Sequence, residues 1–272
     1  MIGGGRMGAG IAHAFLLAGG DVVVMERDQA SADAAAARIR DALAASAERG
    51  RPADSAAEVR VGCDIGVLAD RELVIEAVPE DRALKADALA RAADVVTASA
   101  ILATNTSSIS IDALAAPLSR PERFLGLHFF NPVPASALVE VVTGAATSAA
   151  VVERARGWVE AIGKTPILVR DSPGFASSRL GVLLGLEAIR MLEEGVADAA
   201  DIDSAMELGY RHPLGPLRTT DLVGLDVRLG IAEELQAALG ERFAPPELLR
   251  QMVSEGRLGR KSGAGFYRWD AS

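Results

Sequence analysis

Gly3-Gly4-Gly5-Arg6-Met7-Gly8 fits the pattern G-x-G-x-x-G and leads directly into residues 11–17, an apolar segment that is predicted to be helical. In this pattern Gly3 allows a tight turn, Gly5 lets the backbone approach a pyrophosphate, and Gly8 lets the helix pack against a strand. The start of the helix then offers N–H groups and the positive end of its dipole to phosphates. These residues therefore predict a dinucleotide-binding turn.

An acidic residue follows at the distance that a ribose-binding carboxylate needs. Residues 21–25 are predicted to form a strand, and Glu26 follows that strand 18 positions after Gly8. A carboxylate at this spacing accepts hydrogen bonds from the adenine ribose hydroxyls, and its charge repels the 2′-phosphate of NADP. Glu26 therefore favours NAD. Two alternatives stay open, an ordinary solvated residue at a strand end and an NADP site in which Arg27 accommodates the 2′-phosphate.

The strand that should precede the glycine turn is reduced to Met1-Ile2. In dinucleotide-binding sheets this strand normally lies at the centre. We expect either that the start codon is assigned several residues late or that the fold tolerates a two-residue strand.

The pattern of the chain changes near residue 170, from alternating β-rich and helical segments to helical segments alone. Strands are predicted at residues 21–25, 73–77, 101–104, 124–128, 139–142 and 166–169. Helices are predicted at residues 7–18, 31–49, 84–93 and 148–162, and then at residues 177–194, 201–208, 222–239 and 246–255. Such alternation indicates a mostly parallel sheet with helices on both faces. We therefore predict a Rossmann-type, doubly wound α/β domain over residues 1–170 and an all-helical domain over residues 171–272.

Composition narrows the class of protein. The 272 residues suffice for about two domains. A net charge of −9 and a pI near 5.0 argue against a nucleic-acid-binding protein, because phosphate contacts need clustered cations. No segment approaches the roughly 18 continuous apolar residues of a membrane-spanning helix. The single cysteine, Cys63, cannot form an intrachain disulfide. We expect a cytoplasmic protein with no membrane partner.

One of the three histidines stands where open α/β sheets bind their ligands. His13 lies within the first predicted helix and His212 in a proline-rich turn, so structural roles are expected for both. His128 ends a predicted strand, at the edge where ligands bind, and the hydroxyl and amide side chains of residues 105–108 follow another strand at that edge. Histidine can act as a general base near neutral pH, best when a carboxylate such as Glu140 fixes its tautomer. A core histidine without chemistry is an alternative of equal weight.

Several motifs in a fixed order make the chain resemble the 3-hydroxyacyl-CoA dehydrogenase family, which includes short-chain 3-hydroxybutyryl-CoA dehydrogenases. The resemblance covers essentially the whole chain and rests on residues 3–15, 73–80, 103–109, 127–132, 138–142, 171–179, 212–226 and 258–267. It implies an NAD-binding Rossmann-type domain and a helical domain that closes the acyl cleft. It also implies a homodimer formed through the helical domain. No metal site is expected.

The resemblance assigns roles to individual residues. His128 is the implied general base, Glu140 its partner, and Ser107 the contact to substrate and nicotinamide. The implied NAD contacts are Gly3, Gly5, Arg6, Met7, Gly8, Glu26, Glu80, Lys85, Ser107, Asn131 and Lys261. The implied substrate contacts are Ser107, Ser178, Arg49 and Arg51, with the two arginines holding coenzyme A phosphates. Ser178 departs from the family, which usually has asparagine there; serine has only one short hydroxyl for both donor and acceptor. This departure affects substrate positioning more than cofactor binding.

The implied reaction is the reversible oxidation of a short (S)-3-hydroxyacyl-CoA, for example 3-hydroxybutyryl-CoA, to the 3-oxoacyl-CoA, as in fatty acid β-oxidation. NAD accepts the hydride. Two alternatives stay open at this point: a dehydrogenase of another 3-hydroxy acid, such as a sugar acid, and a non-catalytic NAD(H)-binding protein. Acyl chain length, pathway and oligomer number do not follow from these motifs.

Overall fold

A computed structural model of the chain describes residues 1–53 and 59–269. The chain divides into two compact units, Met1–Ser172 and Pro173–Ser272. Among the described residues, no helix is long and apolar enough to cross a membrane.

The first unit alternates strands and helices. Its strands are β1 (Val22–Met25), β2 (Val59–Gly62), β3 (Leu73–Glu76), β4 (Ile101–Thr104), β5 (Phe124–Phe129), β6 (Leu138–Thr143) and β7 (Thr165–Arg170). Its α-helices are α1 (Arg6–Leu17), α2 (Gln29–Glu48), α3 (Arg82–Val95), α4 (Ile111–Ala115) and α5 (Ala149–Ala161). Asp28, Asp81 and Ser148 start α2, α3 and α5, because each side chain accepts a hydrogen bond from the first turn of its helix.

The strands form a mostly parallel sheet in the order β2-β1-β3-β4-β5-β6-β7, with Ile2 joining β1 to β3. Towards β3, the N–H of Ile2 donates to Ile75 O at 2.9 Å and its carbonyl accepts from Ala77 N at 2.8 Å. Towards β1, Gly3 N donates to Met25 O and Met25 N donates to Met1 O, both at 2.9 Å. A two-residue strand therefore takes the position between β1 and β3. From β1 to β5 the neighbours run parallel, whereas β6 is antiparallel to β5 and β7 parallel to β6.

Burial in the first unit matches a sheet covered on both faces. Every residue of β1, β4 and β5 is buried, as expected for parallel strands between two helical layers. The sequence pattern does not predict β2 or α4. Both are short, and β2 is partly exposed, so that neither carries a clear apolar period.

The second unit is helical. Its helices are α6 (Ser177–Glu193), α7 (Ala199–Tyr210), α8 (Pro216–Val223), α9 (Leu225–Leu239) and α10 (Glu247–Ser254). The predicted fold class, a parallel-dominated α/β unit followed by a helical one, is confirmed. The single helix predicted at residues 222–239 is wrong, because Gly224 has φ of 105° and separates α8 from α9. This backbone conformation is open to glycine and ends a helix.

The C-terminal segment, residues 259–269, is tied to the second unit by Asp221. This carboxylate is 1% exposed. It accepts hydrogen bonds from the backbone N–H groups of Phe266 and Tyr267, both at 2.9 Å, and from the Trp269 indole at 2.8 Å. A side chain at Gly265 would overlap the carboxylate. The segment therefore folds against one buried acid.

Candidate active site

The glycine turn has the geometry that a pyrophosphate site requires. Gly3 has φ of 88°, and a Cβ there would meet Ala77 O at 3.0 Å. A Cβ at Gly8 would overlap the carbonyl of Gly3, whereas a Cβ at Gly5 would meet no atom within 4 Å. Gly8 therefore allows α1 to pack on the turn, and Gly5 leaves the backbone open to a ligand. The first turn of α1 has no side-chain cap, so its N–H groups can meet phosphate oxygens.

Glu26 lies at the end of β1 and closes the other side of this site. Its Oε1 accepts a hydrogen bond from Gly4 N at 2.5 Å, so the carboxylate is fixed to the turn. The predicted cofactor residues Gly3, Gly5, Arg6, Met7 and Glu26 all line one cleft of about 920 Å³. Arg27 also lines it, but its guanidinium pairs with Asp28 at 3.0 Å. These residues fit a dinucleotide with a free 2′-hydroxyl.

A buried network of polar side chains is centred on Glu76. Sequence analysis did not identify this residue. Glu76 is fully buried at the end of β3 and accepts hydrogen bonds from Thr104 Oγ1 at 2.6 Å and Lys85 Nζ at 2.9 Å. Lys85 Nζ also contacts Val78 O and Glu80 Oε2, each at 3.2 Å. Lys85 is only 1% exposed. It was predicted to contact NAD, but its three donors meet three protein oxygens.

Glu80 holds the turn that carries Ser107. Its Oε1 accepts hydrogen bonds from Thr106 Oγ1 at 2.6 Å and from the N–H and Oγ of Ser107 at 2.8 and 3.2 Å. Burial raises the pKa of Glu80, but the Lys85 ammonium and the hydrogen bonds from Thr106 and Ser107 outweigh that effect. The pKa of Glu80 therefore lies below its usual value. Glu80, like Lys85, was predicted as an NAD contact, and it anchors a loop of the protein.

His128 and Glu140 face each other across β5 and β6. They are direct partners in the antiparallel register, which brings their side chains to the same face. His128 Nδ1 lies 2.6 Å from Glu140 Oε2, and the two residues are 6% and 0% exposed. The Phe130 ring packs 4.5 Å from the imidazole, centre to centre. The register therefore builds a buried imidazole–carboxylate pair from residues 12 positions apart.

The ends of β4 and β5 are joined by the amide of Asn105, which the sequence places at this edge of the sheet without indicating its partner. Asn105 Oδ1 accepts a hydrogen bond from Phe129 N at 2.9 Å, so the Ser107 turn is fixed to the strand that carries His128. Asn131 is exposed and precedes a cis proline at 132. A side-chain amide directly after a strand was the available signal for Asn105.

The predicted coenzyme A arginines line a separate pocket of the first unit. Arg49 and Arg51 follow α2, and they share a pocket of about 440 Å³ with His13, Ser46 and Lys164. His13 is 2% exposed, and its Nε2 lies 2.9 Å from Ser46 Oγ. Burial lowers the pKa of His13, and the charges of Arg49 and Arg51 lower it further. Sequence reasoning missed Lys164, which brings a third cation to this pocket.

The two remaining predicted residues lie in the second unit. Ser178 is partly exposed in the first turn of α6. Lys261 forms an ion pair with Asp226 at 2.6 Å. Within residues 1–53 and 59–269, no group of three His, Cys, Asp or Glu side chains is placed to hold a metal ion.

Comparison with known proteins places both units in one family. Residues 1–172 match the NAD binding domain of 3-hydroxyacyl-CoA dehydrogenase, and residues 174–269 match its C-terminal domain. A probable 3-hydroxybutyryl-CoA dehydrogenase of Deinococcus radiodurans is 42% identical over 99% of both chains. The 3-hydroxyadipyl-CoA dehydrogenase of Escherichia coli is 40% identical over 100% of this chain and 58% of its own.

Solved structures agree with these sequence matches. The crystal structure of (S)-3-hydroxybutyryl-CoA dehydrogenase from Ralstonia eutropha has a TM-score of 0.94 and 37% identity, and the match covers 99% of this chain and 98% of that one. The fold, the glycine turn and the NAD binding domain thus lead to one conclusion. The chain belongs to the 3-hydroxyacyl-CoA dehydrogenase family, and it is an NAD-dependent oxidoreductase.

Proposed function

We propose that the protein interconverts short (S)-3-hydroxyacyl-CoA thioesters and 3-oxoacyl-CoA thioesters, with His128 as general base and Glu140 as its partner. The buried pair at 2.6 Å is the observation that supports this proposal most directly. The names of the relatives, most of them 3-hydroxybutyryl-CoA dehydrogenases, support the substrate class.

His128 and Glu140 have different roles in the proposed reaction. Glu140 holds Nδ1 of His128, so Nε2 is the ring nitrogen that takes the proton of the substrate hydroxyl. The charge of Glu140 then stabilises the imidazolium, as the carboxylate of a catalytic triad does. In the reverse direction the imidazolium returns the proton to the 3-oxo oxygen. Bound NAD supplies the hydride acceptor, so the protein has to bind, orient and move one proton.

Ser107 is proposed to donate a hydrogen bond to the reacting oxygen. Two contacts support this role: Glu80 fixes the backbone N–H of Ser107, and Asn105 joins the same turn to β5. In the structure Ser107 Oγ donates to Glu80 at 3.2 Å, a long bond that the hydroxyl can exchange for one to a ligand. Glu80 is therefore a positioning residue in this proposal.

The pocket formed by Arg49, Arg51 and Lys164 is proposed to hold the coenzyme A phosphates. The chain carries a net charge of −9, so this local group of cations stands out against an acidic background. Guanidinium groups bind phosphate oxygens through paired hydrogen bonds. A sugar-acid substrate would leave these cations without a ligand, which favours the acyl-CoA alternative.

The second unit is proposed to carry a homodimer interface. It exposes large apolar side chains on several helices: Leu180, Leu183, Val223 and Val227. Light scattering of the purified protein should give twice the mass of the 28.2 kDa chain.

Oxidation of NADH in the presence of acetoacetyl-CoA tests the proposed reaction. Turnover of this thioester, with none of a free 3-oxo acid under the same conditions and none of a sugar acid when NAD is supplied instead, is the expected result. Turnover of the free acids alone would support the rival dehydrogenase. Tight NADH binding without turnover of any of them would leave only the non-catalytic alternative.

A further inference from the structure

His13 is a buried imidazole that the proposed reaction does not use. It lies on α1 and is 2% exposed, and its Nε2 is 2.9 Å from Oγ of Ser46 on α2. Ser46 is buried as well. Both side chains line the pocket of about 440 Å³ that Arg49, Arg51 and Lys164 also line. A titratable ring and its hydroxyl partner therefore border a cavity of the first unit.

The charged side chains around this pocket are cations. Arg49 and Arg51 follow the end of α2, and Lys164 lies between α5 and β7. In the part of the chain that the structure describes, no aspartate or glutamate lines the cavity. The ammonium of Lys164 already donates to two carbonyls, those of Val133, at 2.6 Å, and Ser136. Arg49 and Arg51 are therefore the main source of charge for a ligand.

The two arginines also influence the charge of His13. Burial lowers the pKa of His13, the backbone carbonyl of Ala42 offsets part of that effect, and repulsion from Arg49 and Arg51 lowers the pKa again. The imidazole of the free protein is therefore neutral at pH 7. An anion bound beside the arginines would cancel their repulsion and attract a protonated ring. Binding of an anion and protonation of His13 are therefore coupled.

The hydroxyl of Ser46 connects the ring to the pocket. In the neutral ring, Nε2 can accept the hydroxyl hydrogen across the 2.9 Å contact. In the protonated ring both nitrogens carry hydrogen, so Nε2 donates to Oγ instead. The hydroxyl hydrogen is then free to donate to an anion in the pocket. One proton taken from solvent thus converts Ser46 from a donor to the ring into a donor to the ligand.

We propose that His13, acting through Ser46, takes up a proton when the 3′-phosphate of coenzyme A binds beside Arg49 and Arg51. The inference rests on the proposed function, which assigns the coenzyme A phosphates to this pocket. The 3′-phosphate is a monoester, and a phosphate monoester approaches two negative charges near neutral pH. Two guanidinium groups and an imidazolium match that charge better than they match the singly charged groups of the diphosphate.

Coenzyme A and 3′-dephospho-coenzyme A test the proposal, because they differ only in this phosphate. Calorimetry with saturating NADH, which occupies the nucleotide cleft, gives the ratio of their dissociation constants. From about pH 8 to about pH 6, the preference for coenzyme A should rise roughly tenfold more in the unmodified protein than in His13→Gln. Glutamine can still hydrogen-bond to Ser46 but cannot be protonated. The phosphate also titrates near pH 6, and it does so in both proteins.

Proton uptake gives a second readout, which a purely structural role of His13 would not change. Calorimetry in buffers of different ionisation enthalpy counts the protons that bind with coenzyme A. Near pH 6.5 the unmodified protein should take up about half a proton more than His13→Gln. Ser46→Ala should lose this excess, because the protonated Nε2 then lacks its acceptor. His212→Gln is the matched control: it removes an imidazole of the second unit and should keep the full uptake.

A measurement on the unmodified protein covers the case in which a buried variant fails to fold. The chain has three histidines, so their imidazole signals can be followed by NMR. Coenzyme A should raise the pKa of His13, and 3′-dephospho-coenzyme A should not. Equal titration of His13 with both ligands would overturn the inference.

These outcomes separate the inference from the proposed function. Equal proton uptake by the unmodified protein and His13→Gln, or full uptake by Ser46→Ala, would refute the role of the pair even if acetoacetyl-CoA is turned over. Equal dissociation constants of coenzyme A and 3′-dephospho-coenzyme A at both pH values would also refute it. Failure of the proposed function would be seen separately, as no turnover of acetoacetyl-CoA.

Discussion

Two buried ionic groups lie at the ends of strands in the first unit, and they differ in how their hydrogen-bonding atoms are used. Around Lys85, every donor of the ammonium meets a protein oxygen, and Glu76 accepts from three different groups. Between His128 and Glu140, one ring nitrogen is bound by the carboxylate, and the ring has a second nitrogen that Glu140 does not use. A saturated network stabilises the fold. The imidazole–carboxylate pair is instead the group that we propose to transfer a proton.

The largest loss of activity is expected when the imidazole of His128 is removed. His128→Ala should lower kcat by roughly 10²–10⁴, the usual range for a positioned acid–base group. NADH binding, followed by fluorescence titration, should be retained, because the glycine turn and Glu26 are built from other elements. His212→Ala is the control and should keep the kcat of the unmodified protein, since His212 lies in a turn of the second unit.

Variants of Glu140 test whether His128 and Glu140 act as one unit. Glu140→Gln keeps the size of the side chain but removes the charge that stabilises the imidazolium, so it should also be slow. The double variant should be little slower than His128→Ala alone. Losses that multiply would mean that the two residues act independently, and the paired mechanism would then be wrong.

Disrupting the hydrogen-bonded network around Lys85 should lower the stability of the fold. Lys85→Met leaves the carboxylate of Glu76 buried without its cation, and the free energy of unfolding should fall by about 3–5 kcal/mol. Urea denaturation measures this change. Arg91→Met on the same helix breaks only an exposed ion pair with Asp87 and should change stability by less than about 1 kcal/mol. Equal effects of the two variants would mean that the Lys85 network does not stabilise the fold.

A smaller effect is expected at Arg49 and Arg51, which are exposed, unlike Lys85, and line the pocket proposed for the coenzyme A phosphates. Replacing Arg49 and Arg51 with alanine should raise KM for the thioester by roughly tenfold and leave KM for NADH unchanged. Arg60→Ala, at an exposed ion pair with Asp21, is the control. Equal changes for both substrates, or for neither, would remove the two arginines from the thioester site.

The smallest expected effect is a dependence of the unfolding free energy on pH that comes from Glu80. Its pKa lies below the usual 4.5, so its ionised form adds stability at neutral pH. That contribution disappears as the pH falls through 4.5 and then through the lower pKa of the folded state. The difference in stability between the unmodified protein and Glu80→Gln should therefore shrink over this range in denaturation curves. A difference that stays constant down to acid pH would contradict the assigned pKa shift.

The sequence predicts most of what local spacing determines. The glycine turn follows from six residues, and Glu26 follows from its distance to that turn, because both lie next to the same predicted strand. The pairing of His128 with Glu140 also becomes visible, since the two strands are neighbours in sequence and only a short loop separates them. These features need no knowledge of distant contacts. The roles of the catalytic residues stay predictions until the variants are measured.

The features that sequence analysis missed depend on contacts between distant elements. Glu76, Lys85 and Thr104 come from two strands and a helix, and nothing in any one segment shows that they meet. The position of Asn105 at the sheet edge is predicted, but its partner is a backbone N–H 24 residues away. The break between α8 and α9 depends on Gly224, whose positive φ cannot be read from an apolar period that continues on both sides.

The hydrogen bonds to the carboxylate of Asp221 affect how the C-terminal segment unfolds locally. It closes loops of 45 to 48 residues by accepting three donors of the C-terminal segment. The entropy regained when such a long loop opens favours release of the whole segment at once. The amides of Phe266 and Tyr267 should therefore exchange with deuterium together, as one sub-global unit. Lys261 lies on that segment, so its position is set by an acid 40 residues earlier in the chain.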